Sequence, residues 1–414
     1  MMRPLSVFKD TTKVGDLSLD TKRCFVFKYS PSYIKRPDAH PISLQLPLKS
    51  EPFENDISRP FFSNLLPEGN IKETIARIFQ ISKTNDMALL EKIGGECAGA
   101  ISILPDGFSP ENKGDYIDIS DDELISMITD IKSFPLLINK KDLRLSLAGA
   151  QEKIPVYFNK NQIYLTKGTI PSSHILKPEN PYFPGSVHNE AFCMKLAEKV
   201  GFPVPDVYLK RIKNTVIYII KRYDRIINEK GKIIRLHQED FCQALGFLPD
   251  QKYQAEGGPG LSQCFELIKK FSSQPLRDRK KLLDWIIFNF LIGNADAHAK
   301  NISILFDKKS AFLAPFYDLI STLVYPQLTS KMAMKIGKEN RFRWLQKRHW
   351  ERFARENDIK KQFLFLNIKD VSKKVLKKSL SLSNSFKAEY GGDKIIDDIL
   401  KIIKNNYEIL SSYE

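Results

Sequence analysis

Between an apolar run and an alternating one, residues 291–305 (LIGNADAHAKNISIL) place Asp296, His298, Lys300 and Asn301 within six positions. A carboxylate and a neutral amide at this separation suit phosphoryl transfer. The carboxylate can orient or accept the proton of an attacking hydroxyl, while the amide oxygen helps hold a divalent metal against phosphates. Magnesium prefers oxygen ligands and needs a charged one beside a triphosphate. The next interior-looking acid is Asp318 in FLAPFYDLIST, after an apolar strand-like piece and before a Ser-Thr turn. Upstream, Lys177 ends SSHILKP and offers a cation for phosphates, with Glu190 on the following helix as its partner.

Taken singly, each residue has a plainer use. A spaced Asp-Asn pair serves helix caps and turns, an isolated Lys177 is a surface lysine, and His298 has no Ser or Cys nucleophile in its flanks. Their order argues for chemistry. Lysine, glutamate, base, amide and metal carboxylate follow one another as they do in kinases, D-x-x-x-x-N spacing included, each on the kind of element a kinase uses.

The elements around these residues must position them. KKLLDWIIFNFLIGN is apolar on nearly all sides, which predicts a buried helix ending at Gly293 and delivering the polar loop to the edge of a lobe; NISILF leaves it as a strand. NEAFCMKLAEKVGF sets Phe192, Cys193, Leu196, Ala197 and Val200 along one stripe. Glu190 falls above Cys193 and Ala197, so it points inward and needs a partner. Near the amino terminus KRCFVFKYS, HPISLQLPL and AGAISILP read as short strands, with helical EGNIKETIARIFQISK and NDMALLEKI among them. LRLSLAGAQEKIPVYF, NQIYLTKGTIPSSHILKP, PDVYLKRI and TVIYIIKRYDRI read as strands, and from about Gln238 the pattern is helical.

The 414 residues, 42% of them apolar, predict two to three domains with ample core. No run reaches the length of a membrane span and MMRPLSVFKDTTKVGDL lacks a signal peptide's apolar centre, so an unexported chain is expected. Five scattered cysteines without CxxC spacing argue against disulfides or a zinc site and fit a reducing cytoplasm. Lys and Arg outnumber Asp and Glu 64 to 49, a formal net charge of +15 that attracts polyanions such as DNA, tRNA or an acidic protein. The excess concentrates in residues 331–353 and 370–380. Either run alone reads as a solvated helix face.

LSLAGAQEKIPV, SSHILKPEN, NEAFCMKLAEKVGFPVPDV, KRYDRI, RLHQEDFCQALG, YQAEGGPG, IGNADAHAKN and LAPFYDLIST together resemble the HipA family of bacterial serine/threonine kinases, the toxin halves of toxin–antitoxin pairs. RPFFSNLLPEGN and GGECAGAISILP resemble that family's first subdomain. The resemblance implies ATP and Mg2+ as cofactors, with Asp296 as catalytic base, Asn301 and Asp318 as magnesium ligands, Lys177 on the phosphates and Glu190 as its ion-pair partner. His298 would reach the γ-phosphate, and Lys300 would lie beside the nucleotide. Residues 145–153 would form the phosphate loop, with the amides of Ala148, Gly149 and Ala150 facing ATP and Ser146 as a self-phosphorylated regulatory site. Lys221 to Tyr223 would be the adenine hinge, although the family often has an acid at Lys221, and Gln238 would approach the nucleotide from the helical side.

The implied fold is α+β, a bilobal protein-kinase-like (HipA-like) architecture. It comprises an N-terminal α/β subdomain (1–130), a β-rich kinase N-lobe (131–236) and a large all-helical C-terminal lobe (237–414). Implied partners are a small helix-turn-helix antitoxin (HipB-like), operator DNA in complex with it, and a protein substrate, an aminoacyl-tRNA synthetase with the glutamate enzyme first. The expected place is the bacterial cytoplasm, with no membrane association. Two other readings stand beside this one. A small-molecule or lipid kinase would use the same loop, and a catalytically idle antitoxin- and DNA-binding module would use only the basic carboxyl half.

Overall fold

The computed structural model describes residues 3–110, 114–129, 153–307 and 310–413. The chain begins with an antiparallel four-stranded sheet in the spatial order Phe25–Tyr29, Thr12–Leu19, Leu5–Lys9, Ile101–Pro105. Helices Asn55–Ser63, Gly69–Ile78 and Asp86–Ile93 fill the connection. HPISLQLPL, expected as a strand, makes only an isolated bridge between Ser43 and Leu46. Pro41 and Pro47 deprive it of ladder donors, and its backbone instead serves side chains: the Tyr29 hydroxyl donates to Leu46 O and accepts from Ile42 N–H.

The second sheet has six strands, in the order Tyr116–Asp118, Gln162–Thr166, Ile154–Asn159, His174–Lys177, Thr215–Lys221, Val207–Ile212. Tyr116–Asp118 lies before residue 130 yet pairs into this sheet, so the ladder runs across the boundary expected there. Strand alternation explains how the sheet is held. Ile217 and Ile219 join the amino-terminal core with Ile154, Val156 and Leu176, while Tyr218 and Ile220 join the core of the helical lobe. Helix Ser186–Val200 lies in that second core, and Phe192, Cys193, Leu196 and Ala197 are all fully buried along it. Val200, expected on the same stripe, is only half-buried.

Helix Pro275–Ile292 buries every residue from Leu282 to Ile292 and ends at Gly293 in the left-handed conformation, φ 69°. A Cβ there would stand 2.7 Å from Ile402, on helix Asp393–Ser411. The carboxyl lobe is not all helical. His237–Asp240, Ser303–Asp307 and Ser310–Leu313 make a three-stranded sheet, and the basic run expected as a helix face folds at Lys331–Ile336 and Glu339–Arg341 into a hairpin. The second basic run does lie on a helix, Lys361–Tyr390.

Glu239, on the first of those strands, is fully buried against the amino-terminal unit, where it accepts from Leu44 N–H at 2.9 Å and Ser43 Oγ at 2.8 Å. Burial pushes its carboxyl up to about 8 against the pull of those two donors. The folded chain therefore keeps a proton that the unfolded chain releases near 4.5, and stability falls as pH rises from there through about 8. Glu239→Gln is expected to flatten this slope, gaining on the order of 3 kcal/mol at pH 8 and almost nothing at pH 4. Urea denaturation of both proteins across that range measures it; parallel curves would mean that Glu239 is ionised throughout.

Candidate active site

A cavity of about 390 Å³ opens between the six-stranded sheet and the helical lobe, walled by Lys153, Lys177, Glu190, Asp296, Asn301 and Asp318 among others. Lys177 ends its strand facing the inward helix. Its Nζ lies 2.6 Å from Glu190 Oε1 and 2.6 Å from Asp318 Oδ1. Burial disfavours the ammonium, yet Asp318 and Glu190 outweigh that cost and hold its pKa above the usual lysine value. Asp318 is partly exposed, and Lys153 and Lys177 keep its carboxyl well below the usual range. Glu190 lies the other way: burial raises its carboxyl although Lys177 pulls it down.

The loop that follows Gly293 is tied at several points. Ala295 N–H donates to Thr322 Oγ1 at 2.7 Å, and Gly293 O accepts from Thr322 N–H at 3.1 Å, which fixes the 293–301 loop against the segment carrying Asp318. Asn189 joins helix Ser186–Val200 to the same segment through both atoms of its amide, to Ser321 N–H and Ser321 O at 2.9 Å each. Asp318 has φ 52°, a left-handed backbone unusual for a non-glycine residue and of the kind that accumulates at functional sites.

Asp296 is half exposed, and its Oδ1 accepts from the Tyr253 hydroxyl at 2.5 Å. Asn301 Nδ2 donates to Asp296 O at 2.9 Å. His298 Nε2 lies 3.8 Å from Asp296 Oδ1, and its buried Nδ1 has no partner among the described residues. Burial keeps this imidazole below its ordinary pKa despite Asp296. Asp318 and the Asn301 amide are one charged and one neutral oxygen donor. No group of three or more His, Cys, Asp or Glu among the described residues forms a protein-only cage. That donor set fits a hard cation which takes its remaining oxygens from water and substrate phosphates.

Other expected residues are placed differently from one another. Lys221 borders the cavity, but its ammonium is half exposed and pairs with Asp206 at 3.2 Å. Tyr223 and Gln238 meet each other, hydroxyl to side-chain oxygen, with Tyr223 stacked on Tyr317. Lys300 also borders the cavity, and its ammonium faces Asn64 Oδ1 at 2.6 Å, Asp240 Oδ2 at 2.9 Å and Glu68 at 3.5 Å. Ser146, Ala148, Gly149 and Ala150 lie outside the described residues.

Three features escaped the sequence reading. Lys153 Nζ stands 3.8 Å from Asp318 Oδ2, and Tyr253 holds Asp296 from a loop closed by Gly258, where a Cβ would meet Gln251 O at 1.9 Å. The third is a buried cluster of Glu96, Arg222, Asp224 and Arg225 behind the expected hinge. Nothing local in the sequence marks it, since Lys221, immediately before Arg222, is exposed.

A lysine on a sheet, its glutamate on an inward helix, and a carboxylate–amide loop bound to the segment of a second carboxylate at one cavity define a two-lobed kinase. Comparison with known proteins makes this specific. The HipA-like C-terminal domain model matches residues 145–379 and the HipA N-terminal domain model residues 5–104. The chain belongs to the HipA family of serine/threonine-kinase toxins. It is 40% identical over 363 residues to the putative kinase Y4mE of Sinorhizobium fredii, covering 86% of each chain. It is 33% identical over 340 residues to the serine/threonine-protein kinase toxin HipA of Shewanella oneidensis, covering 79% of this chain and 77% of that one. A solved complex of Shewanella oneidensis HipA with HipB and operator DNA superposes with a TM-score of 0.84 at 27% identity over 99% of both chains. Among the described residues no helix is long and apolar enough to cross a membrane.

Proposed function

We propose that the protein is an ATP-dependent serine/threonine protein kinase of the bacterial cytoplasm that arrests growth by phosphorylating an aminoacyl-tRNA synthetase, the glutamate enzyme first. Its activity is held in check by a small helix-turn-helix antitoxin, with which it sits on operator DNA, the basic residues 331–380 adding to phosphate contacts. Self-phosphorylation of Ser146 switches it off. The observation that carries the reading is the convergence of Lys177, Glu190, Asp296, Asn301 and Asp318 on one cavity, five residues that are 141 positions apart at the extremes of one hydrogen bond.

In this reading Lys177, aimed by Glu190, holds the α- and β-phosphates. Asp296 orients the acceptor hydroxyl and receives its proton. Asn301 and Asp318 would hold magnesium, which would supply neutralisation of phosphate charge. His298, neutral through burial, donates or accepts one hydrogen bond in the cavity wall without adding a charge.

Two measurements test the reading. With labelled ATP, label is expected on protein; label in a solvent-extractable product would favour a small-molecule or lipid kinase. Intact mass after expression is expected to show phosphate on Ser146 in the active protein and none in Asp296→Asn. A phosphoserine brings about −1.5 to −2 charges beside the site of a triphosphate, which repels ATP. Absence of that phosphate from an enzyme that phosphorylates another substrate would end the switch and leave the kinase standing.

A further inference from the structure

The amino-terminal unit reaches the cleft at two separate places. At the first, its segment Glu96–Gly99 lies behind residues 221–225. Arg222 Nη1 donates to Glu96 Oε1 at 3.2 Å, and the Nε–Nη2 edge of the same guanidinium grips both oxygens of Asp224, at 3.0 and 2.8 Å. Gly99 N–H donates to Asp224 Oδ2 at 2.8 Å, and Arg225 Nη1 donates back to Gly99 O at 2.9 Å. Glu96 also accepts from Ser172 N–H and Ser172 Oγ, at 2.9 and 2.7 Å. Gly99, at φ 74°, approaches so closely that a Cβ would sit 2.8 Å from Gln238 N. This cluster is buried throughout.

At the second place, Asn64 and Glu68 reach the catalytic loop. Asn64 Oδ1 accepts from Lys300 Nζ at 2.6 Å, while Asn64 Nδ2 donates to Pro60 O at 2.7 Å and Phe247 O at 2.8 Å. Glu68 pairs with Lys252 at 2.8 Å and Lys300 at 3.5 Å. Lys300 precedes Asn301, and Lys252 precedes Tyr253, whose hydroxyl holds Asp296. The other end of Lys300 is fixed as well, its carbonyl accepting from the Tyr317 hydroxyl at 2.8 Å.

We infer that Glu96 and Glu68 are positioning residues, by which the amino-terminal unit sets the nucleotide hinge with one arm and the catalytic loop with the other. The inference rests on the kinase reading of the cavity. Glu96 is not among the residues lining the cavity, and Glu68, which borders it, turns one oxygen to Lys252 and the other to Lys300. Glu96 acts through Arg222 on the strand exit that borders the cavity, and Glu68 acts through Lys300 and Lys252 on the neighbours of Asn301 and Asp296.

The two arms make different kinetic demands, which separates positioning from mere support. Glu96→Gln keeps the shape and removes the charge; it is expected to raise the ATP KM about tenfold with the smaller share of the loss in kcat. Glu68→Gln is expected to lower kcat about tenfold with the smaller share in ATP KM. Steady-state kinetics of the full chain, with melting temperatures alongside, give both readouts. If Glu96→Gln does not fold, Ser172→Ala, which removes the hydroxyl that donates to Glu96 at 2.7 Å and accepts from Arg222 Nη1 at 3.0 Å, must shift the same parameter by a smaller factor. Equal losses in KM and kcat for both variants, or losses that track melting temperature alone, overturn the inference. An inactive wild-type chain in the same assay would instead strike at the kinase reading.

Discussion

Asp296→Asn is expected to cut phosphoryl transfer by about 10³-fold while ATP affinity changes less than about twofold. The substitution preserves shape and removes only the basic oxygen. Its side chain is half exposed, and the carbonyl of an asparagine can still accept from the Tyr253 hydroxyl, so the local fold has no reason to move. Lys177, Glu190 and Asp318, which bear on the nucleotide, are left as they are. Single-turnover rates at saturating ATP, beside a nucleotide titration, provide the measurement. Turnover within a factor of about ten of the unsubstituted protein would remove Asp296 from the role of base, since general bases contribute at least about 10².

Lys177→Met should lose both nucleotide binding and stability, for distinct reasons. The methionine fills the volume, but it leaves Glu190, which is buried, and Asp318 without the cation that lies between them. Breaking a buried pair in this way costs about 3–5 kcal/mol. Adding Glu190→Gln removes one of the stranded charges, so the double variant is expected to regain a large part of that loss. Phosphoryl transfer should stay absent, because no cation faces the α- and β-phosphates. Denaturant midpoints and ATP titrations of the two singles and the double complete the cycle. If the double variant recovers activity along with stability, Lys177 is a structural ion and not a phosphate ligand.

The sequence made the centre of the site legible because its logic is local. Asp296 and Asn301 share a loop, Lys177 ends a strand, and Glu190 declares itself as a charge on an apolar stripe, a contradiction that only a partner resolves. The surrounding supports were not legible. Glu239 finds Ser43 across 196 positions and Lys300 finds Asn64 across 236, and no periodicity records such meetings. The hairpin at residues 331–341 was missed because its charges drew attention from Met332, Ala333, Met334 and Ile336, all buried, and because Ala333 blurs the alternation between them and the exposed Lys331 and Lys335.

The strand bearing Lys177 belongs to a sheet with apolar side chains in both cores of the molecule. A protease that excised residues 5–104 would not yield a smaller enzyme. It would break open the cluster that Ile154, Val156, Leu176, Ile217 and Ile219 share with that segment, uncovering contiguous apolar surface of the kind that drives aggregation. The same cut would take Glu239's two donors and leave a buried carboxyl with neither. Trimming therefore destroys this chain rather than liberating an active fragment, so that reversible control has to be exerted on the intact molecule.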